Sequence, residues 1–399
     1  MRSVFAGICY HWGTVADPAG VEIADESSGR NRSLSWPGKE IPSLYGIRGV
    51  AALAVVLSHI GVSASNGPYA VICFFVLSGF LITHLLLSER DKTGDVSLRR
   101  FYLRRTLRIL PAFYCYAAVY VILRLIDKYP VDWLFVLGRV TYTANFTPLL
   151  PLFSGPRIPT MGHTWSLAIE EQFYLLWPFI FAAFALKRGK LMKGLIVAIV
   201  AVWTYRWVVL SLNLNDNYIL YAFETRADAL AVGCLVAIAN HENRIPRWLI
   251  DWKWVGGVAL AIICFCSAIN LNQPRYAWAI IPLACAVLII RSIAHSQSRW
   301  YSWLEFRPMR ALGIISYSLY LYHPFVIHLP PAIRTVPVEV AFAILLATGS
   351  YVIVERPFLA LKDRFSPVPV RPHTSPQSGC LAEHVAADGP VPPVPVPNT

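Results

Sequence analysis

Ten apolar runs, each close to the length of a membrane-spanning helix, follow one another from Leu44 to Glu355, and nothing else in the sequence restricts the fold as strongly. They cover residues 44–60, 69–88, 108–126, 164–186, 191–211, 218–240, 254–270, 276–294, 311–329 and 337–355. About 20 apolar residues in a helix cross a bilayer's hydrocarbon core, and a chain in that medium must satisfy its backbone groups internally. The runs therefore predict an all-α polytopic membrane bundle of about ten transmembrane helices. The 399 residues are 56% hydrophobic and only 15% charged, too little charge to cover a water-soluble surface of this size.

Basic residues alternate with the runs. With the N-terminus in the cytoplasm, the inner segments carry 25 Lys and Arg and the outer ones carry 5. This positive-inside asymmetry predicts that both termini are cytoplasmic. It also explains the net charge of +12 as a topology signal with attraction to anionic lipid, which argues against a nucleic-acid partner.

Three regions follow. Residues 1–42 are expected to be a disordered cytoplasmic extension, since Met1–Tyr10 is too short and broken for a signal peptide. Residues 43–362 form the transmembrane domain, and 363–399 are a Pro-rich, disordered cytoplasmic tail. The longest connection, residues 131–163, is expected to lie over the membrane surface. The eight cysteines (Cys9, Cys73, Cys115, Cys234, Cys264, Cys266, Cys285 and Cys380) fall mostly inside apolar runs without CxxC spacing. They read as small buried hydrophobes, with no disulfide framework and no metal site.

Polar residues inside these runs are expensive, and they mark where a site is expected. Arg48 and His59 in the first run are eleven residues apart, which is three helical turns plus roughly 20°, so they share a face about 16 Å apart along the axis. In the fourth run, Ser166, Glu170, Tyr174 and Trp177 share a face by 3–4 spacing. In the ninth, Ser316, Tyr320 and His323 do the same. His59, Glu170 and His323 are expected at a common depth in the outer half, where a carboxylate and two histidines can form an acid–base site. The simpler reading is that each is a buried polar side chain satisfied between helices.

A second constellation is basic: Arg99-Arg-Phe-Tyr-Leu-Arg-Arg-Thr-Leu-Arg108. Interfacial anchoring suits most of these arginines. Arg105 and Arg108, at i and i+3, are the pair expected to clamp a phosphate with their planar forks. Ser78 and Gly79 fit close helix approach. Arg226 and Asp228 can pair with each other or line a cavity, Glu355-Arg-Pro357 is expected to cap the last span, and Arg206 has no evident partner.

Together these residues resemble the acyltransferase-3 family of integral membrane O-acyltransferases over about residues 42–360. The carriers are Leu44-Tyr-Gly-Ile-Arg-Gly49 with His59, Phe74-Phe-Val-Leu-Ser-Gly-Phe-Leu-Ile82, Arg105-Thr-Leu-Arg-Ile-Leu-Pro111, Trp165-Ser-Leu-Ala-Ile-Glu-Glu-Gln-Phe-Tyr174, Arg226-Ala-Asp228, Ser316-Tyr-Ser-Leu-Tyr-Leu-Tyr-His323 and Glu355-Arg-Pro357. The resemblance implies a multi-pass protein of the inner (plasma) membrane that takes an acyl group, usually acetyl, from cytosolic acetyl-CoA without a metal. The implied acceptor is a hydroxyl of a glycan, such as a lipopolysaccharide or exopolysaccharide, of a lipid-linked sugar, or of a small secondary metabolite. It implies His59 as the essential histidine, Arg48 as its paired arginine, and Arg105 and Arg108 in donor handling. Glu170, rather than Glu171, with Tyr317 and His323 match further site positions; Ser78, Trp165, Ser166, Tyr174, Arg226, Asp228 and Tyr320 support the substrates.

Three departures from the family pattern stand out. Tyr45 replaces a common Asp, the N-terminal extension is long, and no hydrolase-like domain follows the tenth span, so a standalone acyltransferase domain is expected. A transporter using the same Arg, His and Glu as a relay is the alternative, although no half-to-half repeat supports it. A non-catalytic scaffold would tolerate apolar replacements at these sites.

Overall fold

The computed structural model of the chain describes residues 41–62, 67–146, 159–212, 216–268, 277–296, 298–299 and 301–365. The flanks expected to be disordered lie outside these residues except at their inner edges, where Pro42 opens the first helix and Asp363 ends the last. The described residues contain no strand. The chain runs through α1 (Pro42–His59), α2 (Gly67–Thr93), α3 (Leu98–Ile126), α4 (Trp133–Val140), a 3-10 turn (Pro159–Thr164), α5 (Trp165–Phe184), α6 (Arg188–Ser211) and α7 (Asp216–Tyr221). It continues through α8 (Ala227–His241), α9 (Arg247–Asp251), α10 (Val255–Ala268) and α11 (Ala277–Ala294). The remainder is α12 (Arg307–Ile314), α13 (Ser316–Tyr322), a 3-10 turn (His323–His328), α14 (Val336–Ser350), a π turn (Tyr351–Glu355) and α15 (Arg356–Asp363).

Helices occupy the described part of each apolar run, but the sixth run is broken at residues 222–226, between α7 and α8. Six helical stretches are long and apolar enough to cross a membrane: α2, α3, Met161–Phe184, α6, α11 and Val336–Lys362. α8 and α10 are shorter apolar helices. α1 has the required 18 residues, and Arg48 and His59 are what dilute its apolar character. The ninth run differs from expectation. It breaks at Ile315 into α12 and α13 and tightens at His323, where Pro324 follows and removes a backbone donor. The tenth also differs: Glu355 does not end a helix but passes through the π turn into α15.

Burial sorts the helices into a centre and a shell. Of their apolar windows, 67% is buried in both α2 and α11, against 28% in α6 and 17% in Val336–Lys362. The shell helices turn large apolar side chains outward, such as Val197, Phe265 and Ile353, which suits lipid rather than water.

α2 packs most extensively on α8 because both are notched by glycine. A Cβ on Gly79 would collide with the Leu230 carbonyl, and one on Gly233 with the Val76 carbonyl. Small residues let membrane helices approach to backbone contact, and this approach fixes Ser78, the neighbour of Gly79. Side-chain caps open two of the helices: Ser97 accepts from the Arg100 amide at the start of α3, and Asp132 from the Phe135 amide at the start of α4. The six cysteines among the described residues are free thiols.

Candidate active site

The i, i+3 and i, i+4 spacings on α3 and α5 turn their polar residues into one cleft between α1, α2, α3, α5 and α13. The cleft holds about 770 Å3 of empty space, part of it open to the outside. Arg48, Arg105 and Arg108 line it together with Ser78, Ser166, Glu170, Glu171, Tyr174, Ser316, Tyr317 and Tyr320. Arg104 is turned elsewhere, pairing with Glu89 at 2.5 Å and donating to the Phe365 carbonyl.

Several polar groups of the cleft have defined anchors. Arg48 donates from Nε and Nη2 to Ser316 Oγ at 3.2 and 3.1 Å. Glu170 accepts from Ser78 Oγ at 2.9 Å on one oxygen and from the Tyr174 hydroxyl at 3.3 Å on the other. The Arg105 guanidinium lies 3.5 Å above the Tyr174 ring centre. Tyr317 donates to the Ile109 carbonyl at 3.0 Å, tying α13 to α3 one residue after Arg108. Among the described residues, neither Arg105 nor Arg108 has a carboxylate within ion-pair distance, and Arg105 Nε has no hydrogen-bond partner.

The histidines form a separate group beside the cleft. His59 and His323 stand edge-on with ring centroids 4.7 Å apart, and His323 and His163 follow at 5.1 Å. His59 is exposed and His323 fully buried. His59 Nδ1 lies 2.9 Å from the Val55 carbonyl, and His323 Nδ1 lies 2.8 Å from the Tyr320 carbonyl. A carbonyl only accepts, so Nδ1 carries the proton in both neutral rings and Nε2 keeps its lone pair. His323 Nε2 has no partner among the described residues.

Glu170 therefore does not sit where the sequence reading placed it. Its hydrogen bonds belong to the arginine-lined cleft and none goes to His59 or His323, because α5 turns Glu170 toward Ser78 on α2. Ser166, one turn earlier on α5, makes the connection instead. Its hydroxyl is 2.5 Å from the Tyr320 hydroxyl, and the two lie 3.2 and 3.0 Å from the His163 carbonyl, which accepts from one hydroxyl while the other's proton bridges the pair. His163 is the residue that sequence reasoning missed. Its only sequence signal is its place at the mouth of the fourth run, directly before Thr164-Trp-Ser166.

The remaining residues lie apart from the cleft. Asp228 pairs with Arg206 and accepts from Trp203 Nε1 at 2.9 Å, so its partner is not Arg226. Arg226 stacks on the Trp278 ring at 3.3 Å and donates to the Leu220 carbonyl. Trp165 lies edge-on to Tyr221 at 5.2 Å and to Phe75 at 6.4 Å. Glu355 is buried and accepts from Ser318. In the 131–163 connection, of which 147–158 lie outside the described residues, Arg139 is buried over the Phe135 ring at 3.3 Å. Burial there lowers the Arg139 guanidinium to about 10.

Comparison with known proteins agrees with this assembly. A family described as an acyltransferase domain, acyltransferase-3, matches residues 41–350. The peptidoglycan O-acetyltransferase OatA of Listeria monocytogenes is 30% identical over 372 residues, which cover 85% of this chain and 57% of the relative. The O-acetyltransferase OatA of Staphylococcus aureus is 27% identical over 352 residues, covering 79% and 57%. The chain thus spans little more than half the length of these curated relatives. No solved structure matches it. The family match takes in every residue of the arginine-lined cleft and all three stacked histidines, and on that evidence the chain belongs to the acyltransferase-3 family.

Proposed function

We propose that this protein is a membrane O-acetyltransferase that moves acetyl from cytosolic acetyl-CoA to a hydroxyl of a cell-wall glycan. The names of its relatives favour peptidoglycan as the acceptor. In this reading all ten helical passes cross the membrane with both termini inside, which puts Arg48, Arg105 and Arg108 toward the cytoplasm and His59 toward the outside.

The observation that carries the reading is the pairing of an arginine-lined cleft with an exposed histidine backed by a buried one. Arg105 and Arg108, free of carboxylate partners among the described residues, suit the phosphates of a CoA donor, because guanidinium forks match phosphate oxygens. Arg48 and Glu170 are held by Ser316, Ser78 and Tyr174 and order the thioester arm. His59 is the general base. Its free Nε2 takes the proton from the acceptor hydroxyl as that oxygen attacks the thioester carbonyl. The carbon–sulfur bond then breaks, and the imidazolium returns the proton to the departing thiolate. His323 is a positioning residue that backs the His59 ring.

The test is His59→Ala in the full-length protein, with the ester-linked acetyl on wall glycan measured by mass spectrometry alongside membrane accumulation. The expected result is unchanged accumulation with no added acetyl mass. Normal acetylation by the variant would sink the mechanism.

A further inference from the structure

The arginine-lined cleft and the histidine stack are adjacent but not continuous, and what separates them is specific. None of the three histidines lines the cleft. Phe74, Ser166 and Tyr320 do, and Tyr320 also meets the rings of His163 and His323, at 5.2 and 6.0 Å. Phe74 closes against Tyr320 edge-on, with ring centroids 6.1 Å apart. The Tyr320 hydroxyl is pinned by Ser166 and by the His163 carbonyl.

We propose that the Phe74–Tyr320 pair is the residue pair that sets acyl-chain length, forming a narrow wall between donor cleft and histidines that admits acetyl and rejects longer chains. This deepens the acetyl-transfer reading and rests on it. Tyr320 is the fixed side of the wall, because hydrogen bonding with Ser166 and the His163 carbonyl holds its hydroxyl and α13 is tied at Arg48, Ile109 and Glu355 through Ser316, Tyr317 and Ser318. Phe74 is the adjustable side. It is half-buried and held by packing alone, so its volume determines how far the closed ring contact has to open. A thioester carbonyl presented from the cleft to His59 has to bring its alkyl group past this pair. Each additional methylene that does not fit costs roughly 10-fold or more in transfer.

The experiment uses the full-length protein in proteoliposomes with acetyl-, propionyl- and butyryl-CoA. The acceptor is peptidoglycan glycan strands stripped of O-acetyl groups, and ester formation is read by mass spectrometry. Wild type is expected to favour acetyl over butyryl by about 100-fold in kcat/KM for two methylenes. Phe74→Ala is expected to reduce that preference about tenfold or more, and Phe74→Leu to shift it the same way by less. Phe74→Leu decides the matter if Phe74→Ala does not accumulate. A wild type that uses butyryl as well as acetyl, or variants with the wild-type preference, would overturn the inference while leaving acetyl transfer intact. A wild type that forms no acetyl ester would overturn the functional reading itself.

Discussion

Arg206 and Asp228 form a two-point ion pair between α6 and α8, Nη2 to Oδ2 at 2.8 Å and Nη1 to Oδ1 at 3.4 Å, with both side chains almost wholly buried. Arg206 also donates to the Thr225 and Trp278 carbonyls, so the pair joins α6, α8 and α11. Breaking a buried pair by removing one partner leaves an uncompensated charge and costs about 3–5 kcal/mol. Asp228→Ala and Arg206→Ala are therefore each expected to lower thermal stability in detergent sharply. The double variant Arg206→Met with Asp228→Leu should recover much of the loss, and single-variant losses that simply add would count against the pair.

The close approach of α2 and α8 makes a second expectation. Gly79→Ala puts a methyl group into the Leu230 carbonyl, and Gly233→Ala puts one into the Val76 carbonyl. Neither obstacle is the end of a flexible side chain, so both helices have to separate. Each variant should accumulate poorly in the membrane. Gly257→Ala in α10 has open space at the same atom, and removing a helical glycine there should gain up to about 1 kcal/mol. Equal accumulation of all three variants would contradict this account.

What could be read from the sequence follows a physical line. Hydropathy is local, so the apolar runs that hold the six span-length helical stretches are legible in the sequence. Helical period is local too: Arg105 and Arg108 line one cleft with Ser166, Glu170 and Tyr174, whereas Trp177, expected on the same face of the fourth run, does not. Which helices become neighbours is not local. That is why the sequence shows no partner for Arg206, why it leaves Asp228 open between pairing with Arg226 and lining a cavity, and why it groups Glu170 with the histidines. Period gives the face of a helix but not what packs against it. The breaks at Ile315 and His323 were hidden because an apolar run reads the same whether the helix inside it is continuous or interrupted, and Pro324 was the one available sign.

At the edge of the bundle, Arg188 donates from Nη1 to Glu242 at 2.8 Å and to His241 Nδ1 at the same distance, while His241 Nε2 meets Asp91 at 2.6 Å. The hydrogen bond from Arg188 holds the Glu242 carboxyl below its ordinary range. A lowered carboxylate pKa contributes stability above the unfolded value, and that stability is lost as pH falls through the folded value. Arg188→Ala should therefore destabilise the protein at neutral pH and by progressively less as the pH drops through the carboxylate range. The effect is modest, because the pair is solvent-accessible. Thermal melts at stepped pH check it, and a pH-independent loss would assign Arg188 a packing role instead.

Arg105 is positioned by an aromatic face rather than by a carboxylate, and this separates it from lysine. A cation over a ring contributes about 0.5–2 kcal/mol, and the guanidinium plane stacks where an ammonium does not. Arg105→Lys keeps the charge and loses the stack and the fork. If Arg105 holds the donor phosphates as proposed, its KM for acetyl-CoA should rise several-fold with a smaller change in kcat, and Tyr174→Leu should reproduce part of that rise by removing the platform. An Arg105→Lys enzyme with wild-type KM would remove the phosphate role from this residue.

In the proposed mechanism, the geometry of His59 as base depends on His323. Its ring is fully buried, its Nδ1–H is bound to the Tyr320 carbonyl, and its edge faces His59 at 4.7 Å. If it holds the His59 ring in place, its shape matters more than its proton. His323→Phe keeps a ring in the stack and should retain substantial transfer, whereas His323→Ala opens a void that lets His59 leave its rotamer. If His323 instead carries the proton, both variants should fall together by the 10²–10⁴-fold typical of a lost general base. Measuring kcat for the two variants against pH separates these cases. Retained activity in the Phe variant, with the wild-type pH profile, is the outcome expected for a residue that positions His59.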